Sequence, residues 1–192
     1  MDFDVAFYIA QAISIITAVV AILSVQLKGM KAILITQIIG NSLASSTYFL
    51  LGGFSGALVS LIAVVQTVVM YFYNVREVKP HISVTAAFIL AYIVNSLITF
   101  SSILDIFPAI AATCFALSVS QRKPILFRFF SIWNPLSWLI YDFYARAYGN
   151  MLMHFGIFIS IIIACIRYDG FFGLIKINKE KLKTTHKEGE KQ

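Results

Sequence analysis

Residues 21–57, AILSVQ…IIGNSLASSTYFLLGGFSGA, decide the fold, because they return at residues 115–150 as FALSVS…SIWNPLSWLIYDFYARAYGN. Leu23, Ser24 and Val25 fall on Leu117, Ser118 and Val119. Asn41, Leu43, Tyr48 and Gly56 fall on Asn134, Leu136, Tyr141 and Gly149, with one residue dropped in the loop between. We read this self-similarity as an internal duplication. Parallel repeats about an axis along the membrane normal are one of the ways solute transporters are built.

Composition supports a membrane setting for the repeat. With 59% hydrophobic and 12% charged residues, a chain of 192 residues has more apolar surface than one soluble core can hide. The mean hydropathy of +0.84 agrees. Crossing about 30 Å of hydrocarbon takes roughly 20 uncharged residues. Such stretches lie at 5–26, 32–51, 55–73, 82–99, 106–120, 125–144 and 148–166. The uncharged run 32–75 is too long for one span, and Gly52-Gly53 is its natural break; Arg146 divides the last two. Helices are expected, because lipid cannot satisfy an open sheet edge and the period-2 alternation of a barrel is absent.

The basic residues orient the seven spans. With the amino terminus outside, the inside segments carry Lys28, Lys31, Arg76, Lys79, Arg122, Lys123, Arg128, Arg167 and six lysines of the tail, and the outside segments carry only Arg146. The expected location is a bacterial inner membrane, with the carboxy terminus cytoplasmic. The start, MDFD, is acidic where a secretory leader is basic, so the first helix is expected to be retained. Parity assigns the fourth span: three spans reverse the direction of the chain, and one extra span restores it so that the two halves run parallel. The expected architecture is therefore all-α and polytopic. A first three-helix repeat occupies 1–78, a linker helix 79–102, a second repeat 103–168 and a basic tail 169–192.

At WLIYDFYARAYGN, residues 138–150, the sequence resembles the tryptophan, tyrosine and glycine signature that ends the second helix of MtN3/SWEET repeats. The three plus one plus three plan is also theirs. Its size, together with GNSLASSTYFLLGGFSGA at 40–57 and CIRY at 165–168, resembles the YgjV-type bacterial inner-membrane family, a distant relative of those repeats. The resemblance spans residues 5–168. It implies a bundle with a solute path between the halves, and facilitated transport of sugars. The chain departs from SWEET repeats in having helix prolines only in the second half, at Pro108, Pro124 and Pro135, and in lacking the third-helix asparagine near Ile62 and near His154. Sugar specificity is therefore not carried over.

Helical geometry selects candidates for a solute site. Asn41, Ser45 and Tyr48 are spaced four and three apart with Gln37 one turn earlier, so they share a face; Asn134, Trp138 and Tyr141 repeat the spacing. Amides suit hydroxyls, and aromatic faces suit the C–H surface of a sugar ring. The same groups also serve as interhelical glue, and both readings stand. Pro135 bends its helix beside Asn134 and frees the Ser131 carbonyl, a place for a hinge or a fixed kink. His154 and Asp142 are the ionisable candidates for coupling or gating. Asp142 is also placed for an i,i+4 pair with Arg146, and His154 for a hydrogen bond to a neighbouring helix. Arg128 is placed to snorkel to the cytoplasmic face.

Other chemistry has little to stand on. Cys114 and Cys165 sit within spans and read as buried small hydrophobes. The tail mixes its lysines with Glu180, Glu188 and Glu190, and reads as disordered or resting on anionic lipid. No carboxylate pair, metal-ligand spacing or GxGxxG, HExxH or Walker-type loop is present, so no enzyme, metal or cofactor is expected. The expected partners are membrane lipid, a small polar solute and further copies of the chain in a homo-oligomer, with no nucleic acid. Two functions remain: a facilitative carrier alternating between its halves, and a membrane scaffold whose small residues Gly40, Ser42, Ala44, Ser45 and Ser46 serve close helix contact.

Overall fold

The computed structural model describes residues 3–51, 54–100, 103–144 and 148–169, and every regular element among them is helical. The α-helices are α1 (Phe3–Ser24), α2 (Met30–Leu50), α3 (Phe54–Val75), α4 (Ile82–Ile98), α5 (Ile106–Val119), α6 (Pro124–Ser131), α7 (Trp133–Tyr144) and α8 (Tyr148–Ala164). A short 3₁₀ turn at Ile103–Asp105 leads into α5, and a π-helical turn at Cys165–Asp169 continues α8. The expected spans fall on these helices, with the sixth divided into α6 and α7. Gly52-Gly53, Arg146 and the tail from residue 170 lie outside the described residues.

Among the described residues, three segments, Val5–Ser24, Gly56–Val75 and Met151–Asp169, are long and apolar enough to cross a membrane, and Ile82–Ile98 and Ile106–Val119 are shorter apolar helices. Hydroxyls in the helices are satisfied locally: Thr17, Thr36, Thr47, Thr67 and Thr113 each donate to the carbonyl four residues back. Such bonding lets polar residues sit in apolar helices without open donors. The helix ends follow the charges. Lys28 lies in the turn between α1 and α2, Lys79 before α4, and Arg122 and Lys123 just before α6, where Pro124 takes the first helical position that proline favours. After α3, Glu77 adopts a left-handed φ of 58°. There Val78 N–H reaches back to Tyr73 O and Glu77 N–H to Asn74 O, a Schellman closure that normally uses glycine.

Packing divides the bundle into two triplets. In the first, α2 packs on both α1 and α3; in the second, α7 packs on both α5 and α8. The triplets meet where α1 lies on α8 and where α3 lies on α5, and α4 bridges α3 and α5. One seam bond runs from Ser160 Oγ on α8 to Ile22 O on α1 (2.9 Å), and the other from Gln66 Nε2 on α3 to Ala116 O on α5 (3.1 Å). The two donors lie 94 residues apart (66 and 160), as do the two acceptors (22 and 116). That spacing also sets Leu23 on Leu117, and is one residue along from Gly56 on Gly149.

The largest apolar cluster lies where these triplets meet. It joins Val25, Met30, Ile33, Leu34 and Met70 to Val119, Phe127 and Ile161. Each side chain in it is nearly sealed, and together they plug the end of the bundle that carries the α1–α2 turn and the start of α6.

Candidate functional site

The polar stripe of α2 is bonded within its own triplet. Gln37 Nε2 donates to Ser24 Oγ on α1 (3.0 Å), and Ser45 Oγ to Ala57 O on α3 (3.1 Å). Asn41 Nδ2 turns back to Gln37 O on its own helix at 2.8 Å. Tyr48, 43% exposed, lies against α3 at Gly56, where a Cβ would come within 2.9 Å of the ring. Only glycine admits that approach.

The matching stripe on α7 reaches out. Asn134 Nδ2 crosses to Ala111 O on α5 at 2.9 Å. Trp138 lies parallel to the imidazole of His154 on α8, with centroids 5.5 Å apart and planes at 6°, and meets Tyr141 edge-on at 5.8 Å. Offset stacking and T-shaped pairs are the preferred aromatic geometries. Trp138, Tyr141 and His154 are thus brought together between α7 and α8, with Asn134 one turn from Trp138 on the same helix. Pro135 is fully buried; Ile132, between α6 and α7, keeps helical φ and ψ and donates its N–H to Arg128 O, and it is Ser131 O that the proline leaves without an N–H from position 135. Asp142 is on α7; its side chain and Arg146 lie outside the described residues.

An open apolar groove of about 640 Å³ occupies the other face of α7, lined mainly by Leu139, Ile140, Phe143, Met151, Leu152 and Phe155. It faces away from the stripe that carries Asn134, Trp138 and Tyr141. No group of three or more His, Cys, Asp or Glu side chains among the described residues is placed to hold a metal ion.

Arg128 does not snorkel; it is 1% exposed and is the largest buried side chain. Its Nη1 donates to both carboxylate oxygens of Asp169 at 2.9 and 3.1 Å, its Nε to Val25 O at 3.0 Å and its Nη2 to Leu27 O at 2.6 Å. The Tyr168 ring lies 5.2 Å from the guanidinium carbon, and Lys28 and Arg167 also stand over that ring. A buried guanidinium needs such a set of partners, because an unpaired charge in a low-dielectric interior is costly. Reading the sequence missed this cluster. Its one signal was a cation inside an apolar span, which calls for an acid elsewhere.

Apolar helices in two triplets, joined where α1 meets α8 and where α3 meets α5, define a polytopic helical membrane protein. Within that class the chain belongs to the Imp-YgjV family of bacterial inner membrane proteins, whose family model matches residues 8–170. No curated protein and no solved structure matches the chain.

Proposed function

We propose that this membrane protein is a facilitative carrier of a small, polar, sugar-like solute, alternating access by rocking two parallel three-helix halves about their seam. In this reading seven spans cross the inner membrane, with the amino terminus outside and the carboxy terminus cytoplasmic. The observation that carries it is the pair of seam bonds, Ser160 to Ile22 and Gln66 to Ala116, which join corresponding helices of the two triplets one residue away from the repeat register. A seam built twice from the same elements has two equivalent ways to tilt, as alternating access between repeats requires. The solute surface is assigned to Asn41, Tyr48, Asn134, Trp138 and Tyr141. The aromatic group of Trp138, Tyr141 and His154 supplies stacking faces, Pro135 a hinge and Asp142 a second ionisable candidate.

The alternative is a scaffold that moves nothing, and one observation favours it: Asn134 is bonded to the Ala111 carbonyl, as interhelical glue is. Uptake of radiolabelled sugars, polyols and organic acids into proteoliposomes separates the two. A carrier gives saturable flux of one solute that is lost in the Asn41→Ala, Asn134→Ala double variant. Folded protein with no flux for any of them selects the scaffold.

A further inference from the structure

We propose that Arg128 is a latch that closes the seam between the two halves at the end bearing the α1–α2 turn. The inference rests on the carrier reading and adds to it the place where one side of the path opens.

The partners of Arg128 divide by half. Asp169, at the end of the α8 extension, belongs to the same half as Arg128 and accepts from Nη1 through both of its carboxylate oxygens. Val25 O and Leu27 O belong to the other half. They lie just past the last turn of α1, where a helix leaves carbonyls without intrahelical partners. A second tie across the same gap is the ammonium of Lys28, 5.4 Å from the centre of the Tyr168 ring. A third is Gln26 Nε2, which donates to Ser160 O at 2.7 Å and Ser160 Oγ at 2.9 Å. Below these ties lies the plug of first-half residues such as Met30 and Ile33 against second-half Phe127 and Ile161.

This division makes the contact releasable. When the halves part, the guanidinium keeps its carboxylate, so no charge is stranded, and what separates is a pair of neutral carbonyls that water can replace. The guanidinium fork suits the role, because one planar group reaches the carboxylate and both carbonyls together, which an ammonium cannot do. The repeat position of Arg128 in the first half is Ile35, an exposed apolar residue, so only one of the two halves carries the latch.

Cys165 reports on it. The chain has two cysteines, and Cys165 packs against the plug from the same π-helical turn that ends in Asp169. In a Cys114→Ala background, maleimide labelling of Cys165 in membranes therefore follows opening at this end, whether or not solute moves. Arg128→Lys keeps a cation beside Asp169 but loses the fork. Its Cys165 is expected to label about tenfold faster, the loss of one charge-assisted bond. Tyr168→Ala, which keeps the Arg128–Asp169 pair but removes the ring under Lys28 and Arg128, is expected to label about threefold faster through loss of those contacts. Cys114, read separately in a Cys165→Ala background, keeps its rate in both variants. Unchanged Cys165 labelling in both variants overturns the latch, and so does a rise at Cys114 in step with Cys165. Should Arg128→Lys fail to fold, the Tyr168→Ala rates alone decide. Loss of the carrier reading shows instead as absent flux with the labelling differences intact.

Discussion

The second helix of the first half runs unbroken from Met30 to Leu50, and the side chains of its polar stripe bond to α1, α3 and α2 itself. The matching stretch of the second half divides into α6 and α7 at Ile132, carries a buried arginine, sends Asn134 to α5 and stacks Trp138 on α8. The two stretches share a helical plan, and the second carries the buried charge and the aromatic stack. Length and hydropathy suffice to say where the helices go. The aligned positions differ in chemistry: Pro135 stands where α2 has Ser42, and Arg128 where it has Ile35. The halves are thus alike in backbone and unlike in chemistry, and the seam is held harder at the α1 end than where α3 meets α5.

The largest test of that contrast replaces the residue that differs most. Arg128→Met leaves Asp169 near the seam without its cation and frees the carbonyls of Val25 and Leu27. The expected cost is about 3–5 kcal/mol of folding free energy, the range for breaking a buried pair by removing one partner. Ile35→Ala, at the equivalent place in the first half, removes only a lipid-facing side chain and is expected to cost under about 1 kcal/mol. Unfolding free energies in mixed micelles check both, and equal costs would erase the asymmetry.

Most of the helix plan was legible because charge is costly in hydrocarbon. Lys28, Arg76, Lys79, Arg122 and Lys123 mark turns, and the helices stop within a few residues of them, including the short α5 at Ile106–Val119. Pro135, which has no N–H to give, lies three residues past Ile132, where α6 passes into α7. Arg128 was misread for a physical reason. A cation one turn inside a span has two low-energy choices, to snorkel or to pair, and sequence spacing does not separate them. Its partner Asp169 is 41 residues away, and only the packing of α6 against α8 brings them together. Asn41 and Asn134 show the same limit: they align in sequence, yet one amide turns to its own helix and the other crosses to a neighbour. That choice depends on how closely two backbones approach, which neither residue encodes.

The asparagines offer a second, smaller test. Asn134→Ala removes a bond between helices, expected to cost about 1 kcal/mol, within the range found for such bonds in membranes, whereas Asn41→Ala removes one within α2 and is expected to cost less than about half of that. Paired unfolding measurements check the ratio; a larger cost at Asn41 would mean that its amide serves a contact beyond α2.

The smallest expected effect compares the two seams directly. Ser160 is bonded on both sides, donating to Ile22 O and accepting from Gln26, so Ser160→Ala leaves the Gln26 amide with one acceptor fewer and is expected to cost about 0.6 kcal/mol. Gln66 is in the opposite position: its Nε2 reaches Ala116 O, but its Oε1 is buried with no hydrogen-bond partner among the described residues. Ala116 O also receives Ser120 Oγ at 2.7 Å, so it stays bonded when the amide is removed. Gln66→Leu therefore trades one hydrogen bond against relief of a buried acceptor, and is expected to stay within about 0.5 kcal/mol of the parent chain. A clear loss at Gln66 and none at Ser160 would reverse the order of the seams, and would place the tighter contact where α3 meets α5.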